Sequence, residues 1–279
     1  MRKITAIIAV LIVGLCLQTC DRGGKKITLR TKYKPGMKLA FEQVTRGSVL
    51  VRSGDSTIHD RTSEITTEQE LYVRRMVDDT VAEVVDNRIY HYKHFDKVDS
   101  SAADTIEAGP ELALYITPSG RVVDFEFTSE EHQGSGTYLK NFYEQGMPVF
   151  PEGEISQGYT WTQSYKVISE GEEMTASMTY EIKSFARERG YDCVVIGYDG
   201  NLILPIEAKP QDTTQRHGVD RVTARGVIYF AYKEGFVVLE RERWILDGDR
   251  YTLEKGEERA LKVAIEYDIE YVLKRFKQM

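Results

Sequence analysis

Residues 261–273 read LKVAIEYDIEYVL. Leu261, Val263, Ile265, Tyr267, Ile269, Tyr271 and Leu273 take every second position, and Lys262, Glu266, Asp268 and Glu270 fill most of the gaps. A helix would scatter these apolar residues around its circumference, whereas a strand puts them all on one face. The stretch is therefore a long β-strand with one face buried. Met174, Ala176, Met178, Tyr180 and Ile182 repeat the alternation, and β-rich runs recur at 71–77, 80–85, 113–117, 122–127, 227–232 and 236–245.

Short polar or glycine-bearing links divide these runs: Pro118-Ser119-Gly120, Asp199-Gly200-Asn201, Lys233-Glu234-Gly235 and Asp247-Gly248-Asp249 all suit hairpins. Strands joined so tightly are antiparallel. Helical spacing is scarce, and 135–145, with Tyr138, Leu139, Phe142 and Tyr143, is the best single candidate. The polar stretch from Lys209 to Arg221 reads as a strand-free loop.

The order of parts appears twice. Tyr33-x-x-Gly36 leads to Phe41, a hairpin around Asp78-Asp79 and a second hairpin at Gly120; Pro151-Glu152 leads through Gly158 to Trp161, a hairpin around Glu188-Arg189-Gly190 and a second at Gly235. Gly36 and Gly158 are 122 positions apart, and Gly120 and Gly235 are 115 apart. The expectation is an all-β chain: a duplicated antiparallel unit forming curved sheets or half-barrels, with at most one or two short helices, the units covering 27–147 and 148–279. One continuous sheet and two separate domains are both open at this point. The 17 tyrosines and 10 phenylalanines fall largely on the strands, where they fill a core or line a groove.

The first residues give an address. Met1-Arg2-Lys3 is a positive start, and 4–17 is an apolar run of about 14 residues, short of the roughly 20 needed to span a bilayer. Leu17-Gln18-Thr19-Cys20 then resembles the lipobox of bacterial lipoproteins, which implies a signal peptide over 1–19 and diacylation of Cys20, with 20–26 as a polar tether. An ordinary cleaved signal and an uncleaved anchor are the alternatives. Two acyl chains hold a protein stably where one is marginal. The expected location is the bacterial cell envelope, with the chain anchored to a membrane and facing the periplasm or the exterior.

Three motifs of the chain past the signal carry a second resemblance. Tyr33-Lys34-Pro35-Gly36-Met37-Lys38, Ile116-Thr117-Pro118-Ser119-Gly120-Arg121-Val122 and Phe150-Pro151-Glu152 through Gly158-Tyr159-Thr160-Trp161 look like those of a family of bacterial envelope proteins, the DUF6263-like proteins. Tyr159 stands where that family tends to have Asp. The resemblance implies an all-β envelope protein and brings no catalytic residues with it. At the level of fold style, the chain is also similar to half-barrel lipid carriers of the periplasm.

Most catalytic chemistries find no support. A net charge of −7 argues against nucleic acid, which needs a basic face. Gly134-Ser135-Gly136 lacks nucleophile-elbow spacing, and no glycine-rich phosphate loop joins a strand to a helix. His91-x-x-His94 points two imidazoles to opposite faces of a strand, so no metal site is expected. Paired acids such as Asp192 with Asp199, or Glu130 with Glu131, read as solvated charges. Cys193, in the apolar run Tyr191–Ile196, reads as a buried inert thiol. The expectation is a non-catalytic, membrane-tethered protein without cofactor that binds an apolar ligand or an envelope partner. Its ligand face is expected at Met174, Met178 and Tyr180. A structural subunit of an envelope assembly is the alternative, and a hydrolase ranks third.

Overall fold

The computed structural model describes residues 25–127, 148–169, 172–206, 217–254 and 257–278. Twelve strands make up the described chain: β1 Met37–Ser53, β2 Ser56–Met76, β3 Ala82–Asp96, β4 Ala102–Ala108, β5 Leu112–Ile116, β6 Val122–Phe127, β7 Thr160–Ser169, β8 Glu172–Glu188, β9 Tyr191–Ile206, β10 His217–Ala231, β11 Phe236–Glu254 and β12 Glu257–Gln278. All lie in one antiparallel sheet ordered β6-β5-β3-β2-β1-β12-β11-β10-β9-β8-β7, with β4 beside the upper half of β3. The choice between one sheet and two domains is thereby resolved: β1 pairs with β12 from Met37↔Gln278 to Arg52↔Lys262, and the sheet runs on without a break. Residues 261–273 form its central strand.

The two halves of the chain enter the sheet in the same way. Ahead of β1, the Met37 N–H donates to the Lys34 carbonyl, Gly36 takes φ 80°, and the Gly36 N–H donates to Val73 of β2. Ahead of β7, the Tyr159 N–H donates to the Ser156 carbonyl, Gly158 takes φ 84°, and the Gly158 N–H donates to Ile182 of β8. A bulge follows each acceptor, between Val73 and Arg75 and between Ile182 and Ser184. Gly120 and Gly235, in the β5–β6 and β10–β11 turns, take φ 86° and 85°. Glycine adopts these angles without the steric cost that a Cβ brings.

A flat row of eleven strands at about 4.8 Å would hold its edges roughly 48 Å apart. Consecutive residues contradict that spacing. The Phe150 N–H donates to the Ser119 carbonyl in the β5–β6 turn, while the Val149 N–H donates to Gln163 Oε1 of β7 and the Trp161 Nε1–H of β7 donates to the Val149 carbonyl. Likewise Thr31 N–H reaches Pro118 and Lys32 N–H reaches Gly235, two turns six strands apart in the sheet. The sheet is therefore curled until its edges nearly meet at the end that carries these turns. Ile27 and Ile155 pair with each other across this end.

Two apolar clusters fill the closed end. One joins Met37, Leu39, Val84, Leu114 and Ile116 to Phe236, Val238 and Cys193; the other packs Ile27, Leu29, Phe150 and Ile155 against Ile182, Ile196, Ile228 and Phe230. Cys193 is fully buried, and burial pushes its thiol up to about 11, as expected of an inert cysteine.

Three expected features differ. Asp199-Gly200-Asn201 and Asp247-Gly248-Asp249 are not hairpins but lie within β9 and β11. Their glycines serve close approach: a Cβ on Gly200 would stand 2.6 Å from Met178 Sδ, and one on Gly248 would stand 2.5 Å from Asp220 Oδ1. Asp192 and Asp199 accordingly share one strand and do not flank a turn. The end of the expected 209–221 loop is strand, because His217–Arg221 pairs with β11 and, from Gly218 onward, with β9. The candidate helix 135–145 and the pair Glu130-Glu131 lie outside the described residues.

The entry turns give a direct stability check. No atom lies within 4 Å of a Cβ built on Gly158, so Gly158→Ala is opposed by φ 84° alone. It is expected to cost about 1–2 kcal/mol. Phe230→Ala, in the filled end, is expected to cost about 3–5 kcal/mol. Denaturant titration of both variants tests whether the closed end carries the stability.

Candidate functional site

The two faces of the curled sheet differ in chemistry, and β11 shows how. In Glu240-Arg241-Glu242-Arg243, Arg241 and Arg243 point outward and pair with Glu270 at 2.8 Å and Glu266 at 2.6 Å on β12. Arg46 with Glu64, Lys38 with Glu70 and Lys274 with Glu42 extend this lattice over the outer face. Glu240 and Glu242 point inward, and among the described residues neither has a Lys or Arg ion-pair partner.

A belt of aromatic and polar side chains crosses the inner face above the filled end. Trp161 of β7 stacks on Tyr180 of β8 at 5.0 Å, Tyr180 meets Tyr198 of β9 at 5.7 Å, and the Tyr165 and Tyr180 hydroxyls lie 2.6 Å apart. The Tyr198 O–H then donates to Glu240 Oε1 at 2.8 Å, reaching from β9 to β11 across β10. Gly226 of β10 makes that reach possible, since a Cβ there would stand 2.5 Å from the Tyr198 hydroxyl. Tyr267 of β12 lies over Gly47 of β1 in the same manner.

Across the sheet's centre, Tyr271 of β12 stands beside Glu240, stacks on Phe41 at 4.4 Å, and donates its O–H to Gln69 Oε1 at 2.7 Å. Gln69 Nε2 donates to Asp86 at 2.8 Å, and Arg88 grips the same carboxylate through Nε and Nη2. Asp86 is 1% exposed, so the bidentate Arg88 partner is what makes its burial tolerable. Further up the inner face, Asp220 is held by Arg250 Nε and Nη2. Tyr90, Tyr92 and His94 stack in a row on β3.

Burial sets the titration of this belt. Burial, with Glu242 nearby, raises the Glu240 carboxyl to about 8 against the easing effect of the Tyr198 hydrogen bond. Burial raises Glu242 too, while Tyr198 and the Trp244 N–H lower it. Two carboxyls one side chain apart thus hold a proton near neutral pH. Burial also raises Tyr180, Tyr198 and Tyr271, and takes Tyr165 up to about 12, so these remain neutral hydroxyls.

Met178 and Tyr180, two of the residues expected to face a ligand, lie on the inner face: Tyr180 is in the belt and Met178 lies over Gly200 beside it. Met174 pairs with Val167 in the β7–β8 ribbon, and its side chain lies outside the described residues. Cys20 also lies outside them. His91 faces outward near Glu68, while His94 is in the inner row on β3. Among the described residues no three His, Cys, Asp or Glu side chains form a metal-binding group, and no helix is long and apolar enough to cross a membrane. Glu240, Glu242, Tyr198 and Tyr271 were missed because their meeting depends on register between four strands; the inward alternation of 240 and 242 was the available signal. A depression of about 230 Å³ lies on β1, β11 and β12 near Leu50 and Arg52, and in it Lys262 pairs with Asp249.

No family model matches this chain, and no curated protein matches it. Among solved structures it is similar to lipovitellin, in a structure concerned with lipid–protein interactions, with a TM-score of 0.50 at 9% identity over 88% of this chain. The chain spans 26% of that lipovitellin chain. The likeness is one of fold. An outer-membrane channel of Pseudomonas putida aligns over 87% of this chain and 97% of its own at 7% identity, and a Bacteroides fragilis protein of YmcC-like fold over 90% and 99% at 13%. Both have a TM-score of 0.28 and bear no argument.

The titration of Glu240 has a definite sign. Its carboxyl is raised from 4.5 to about 8, so the folded protein holds a proton that the unfolded chain has released. The contribution of this carboxyl to stability is therefore greatest at acid pH and is lost as pH rises from about 5 toward 8. Glu240→Gln keeps the Tyr198 hydrogen bond and removes the charge. Its melting temperature is expected to decline less over that window than the wild type's. Parallel melting profiles for the two proteins would remove this carboxyl from the account.

Proposed function

We propose that this is a non-catalytic envelope lipoprotein, tethered through diacylated Cys20, whose curled sheet binds an apolar ligand on its inner face. The observation that carries the reading is the asymmetry of the sheet. Its outer face is a lattice of ion pairs, while its inner face, above a filled end, presents part-exposed apolar and aromatic side chains such as Ile65, Leu246, Ile269, Tyr267, Trp244 and Met178. Concave, largely apolar surfaces with a few placed polar groups are the usual form of a small-molecule site. The fold-level likeness to lipovitellin, a protein studied for its lipid interactions, favours a lipid as that ligand. The lipobox-like Leu17–Cys20 favours a membrane address, and the resemblance to DUF6263-like proteins favours the bacterial envelope.

One observation supports an interaction role instead. β4 is exposed along its whole length at the sheet's margin, and Ile89, Phe95 and Ile106 are 44%, 43% and 67% exposed beside it. Such a margin suits strand addition by an envelope partner.

Native mass spectrometry of the chain from Asp21 onward, purified gently from a bacterial envelope and extracted with organic solvent, is expected to release a stoichiometric lipid. Ile269→Arg, which places a charge between Thr45 and Glu242 on the inner face, should reduce bound lipid at least tenfold, while Thr66→Arg on the outer face should leave it unchanged. Equal lipid in both variants would transfer the reading to the β4 margin. In cells, labelled palmitate should enter the full chain and not its Cys20→Ala variant; labelling of both would remove the anchor from Cys20.

A further inference from the structure

Resting on the reading of the inner face as an apolar ligand site, we infer that the same face selects ligands with a cationic ammonium head, which would sit against Glu240 and Glu242 among the rings of Tyr198, Tyr180, Trp161 and Tyr271.

The geometry supplies both halves of such a site. Glu240 and Glu242 are two apart on one strand and so share the inner face, with the Tyr198 hydroxyl 2.8 Å from Glu240. Among the described residues, the groups that act on the pair are neutral or acidic. β9 offers Tyr198, β8 Tyr180, β7 Tyr165, β12 Tyr271 and β11 itself the Trp244 N–H. Arg88 on β3, a guanidinium of this belt, grips Asp86 through Nε and Nη2.

The contrast within one tetrapeptide is the second observation. Arg241 and Arg243 are each matched by a β12 glutamate, and the buried acids Asp86 and Asp220 each have a bidentate arginine. Of these acids, the inward pair on β11 has no cationic partner among the described residues. Burying carboxylates without a counter-charge opposes folding, so their presence on a concave wall points to a partner outside the fold. Electron-rich rings beside carboxylates are the surroundings that bind ammonium groups, including quaternary ones that donate no hydrogen bond. Gly226 belongs to this arrangement, because it lets the Tyr198 ring lie across β10 and close the gap between the aromatic stack and the acids.

An ammonium head placed here lowers the affinity of the pair for its proton, so binding releases a proton and strengthens as pH rises toward about 8. The probe is dodecyltrimethylammonium, compared with dodecyldimethylamine oxide, which has nearly the same shape and no net charge near pH 8. Isothermal titration of the chain from Asp21 onward, below the micellar concentration of each, is expected to show about tenfold tighter binding of the cation at about pH 8 than of the amine oxide. The affinity of the cation itself should fall at about pH 5, and at about pH 8 the preference should vanish in Glu240→Gln/Glu242→Gln. Near-ultraviolet circular dichroism confirms that the variant keeps its packing, and Glu240→Gln alone provides a second, milder test.

Equal affinities for the two probes, unchanged in the variant, would overturn the ammonium preference while leaving the apolar site standing. Failure of both probes to bind, at any pH, would overturn the apolar site and the preference with it.

Discussion

The whole molecule depends on a tie between the two edges of its sheet. A single sheet has two faces and needs a second layer to cover one of them. Here the sheet supplies that layer itself by curling, and the curl is fixed by the backbone groups of residues 149 and 150, which bond the Gln163 and Trp161 side chains at one edge and the Ser119 carbonyl at the other, and by those of 31 and 32, which reach turns six strands apart. The peptide segments that make these bonds also contribute Ile27, Leu29, Phe150 and Ile155 to the core. Closing the sheet and filling its end are thus one event. This division leaves the rest of the inner face free of the duty to hold the fold together.

Glycine marks two different demands in this sheet. At Gly36, Gly120, Gly158 and Gly235 the backbone enters the left-handed region, and these turns were legible because each stands beside polar or proline residues between apolar runs. At Gly47, Gly200, Gly226 and Gly248 the backbone is ordinary strand, and the missing Cβ makes room for a neighbour's side chain. Asp199-Gly200-Asn201 and Asp247-Gly248-Asp249 resemble turns in local composition, and nothing local distinguishes a glycine that bends the chain from one that lies under a thioether or a carboxylate. Only the pairing of three strands does so.

The same limit explains what the sequence disclosed of the site. Period-two alternation is a property of one strand, so the all-β class, the long strand at 261–273 and the shared face of Met178 and Tyr180 followed from the residues, while the direction of that face did not. The Tyr198 hydroxyl meeting Glu240, or Tyr271 meeting Gln69, joins residues 42 and 202 positions apart. Their contact is fixed by register, and a slip of one residue in any intervening strand would turn one partner to the opposite face. The tyrosines could be counted in advance, and their uses could not be separated.

The placement of charge then separates the parts of the structure that serve stability from those that do not. Outward arginines on β11 meet outward glutamates on β12, an arrangement that repeats across the convex face and leaves few charges unanswered. Deep acids such as Asp86 and Asp220 are answered too, each by two nitrogens of one arginine. Selection for stability alone would treat Glu240 and Glu242 likewise, or replace them with apolar residues, because a desolvated carboxyl with a raised affinity for its proton weakens the fold above acid pH. The filled end makes such an expense tolerable, since it secures the sheet right beside the acids, with Ile228 paired to Glu240 and Val238 two positions before it. A locally unfavourable pair, set in a ring of aromatic side chains on the one face that folding does not need to cover, has the physical character of a binding surface and not of a structural element.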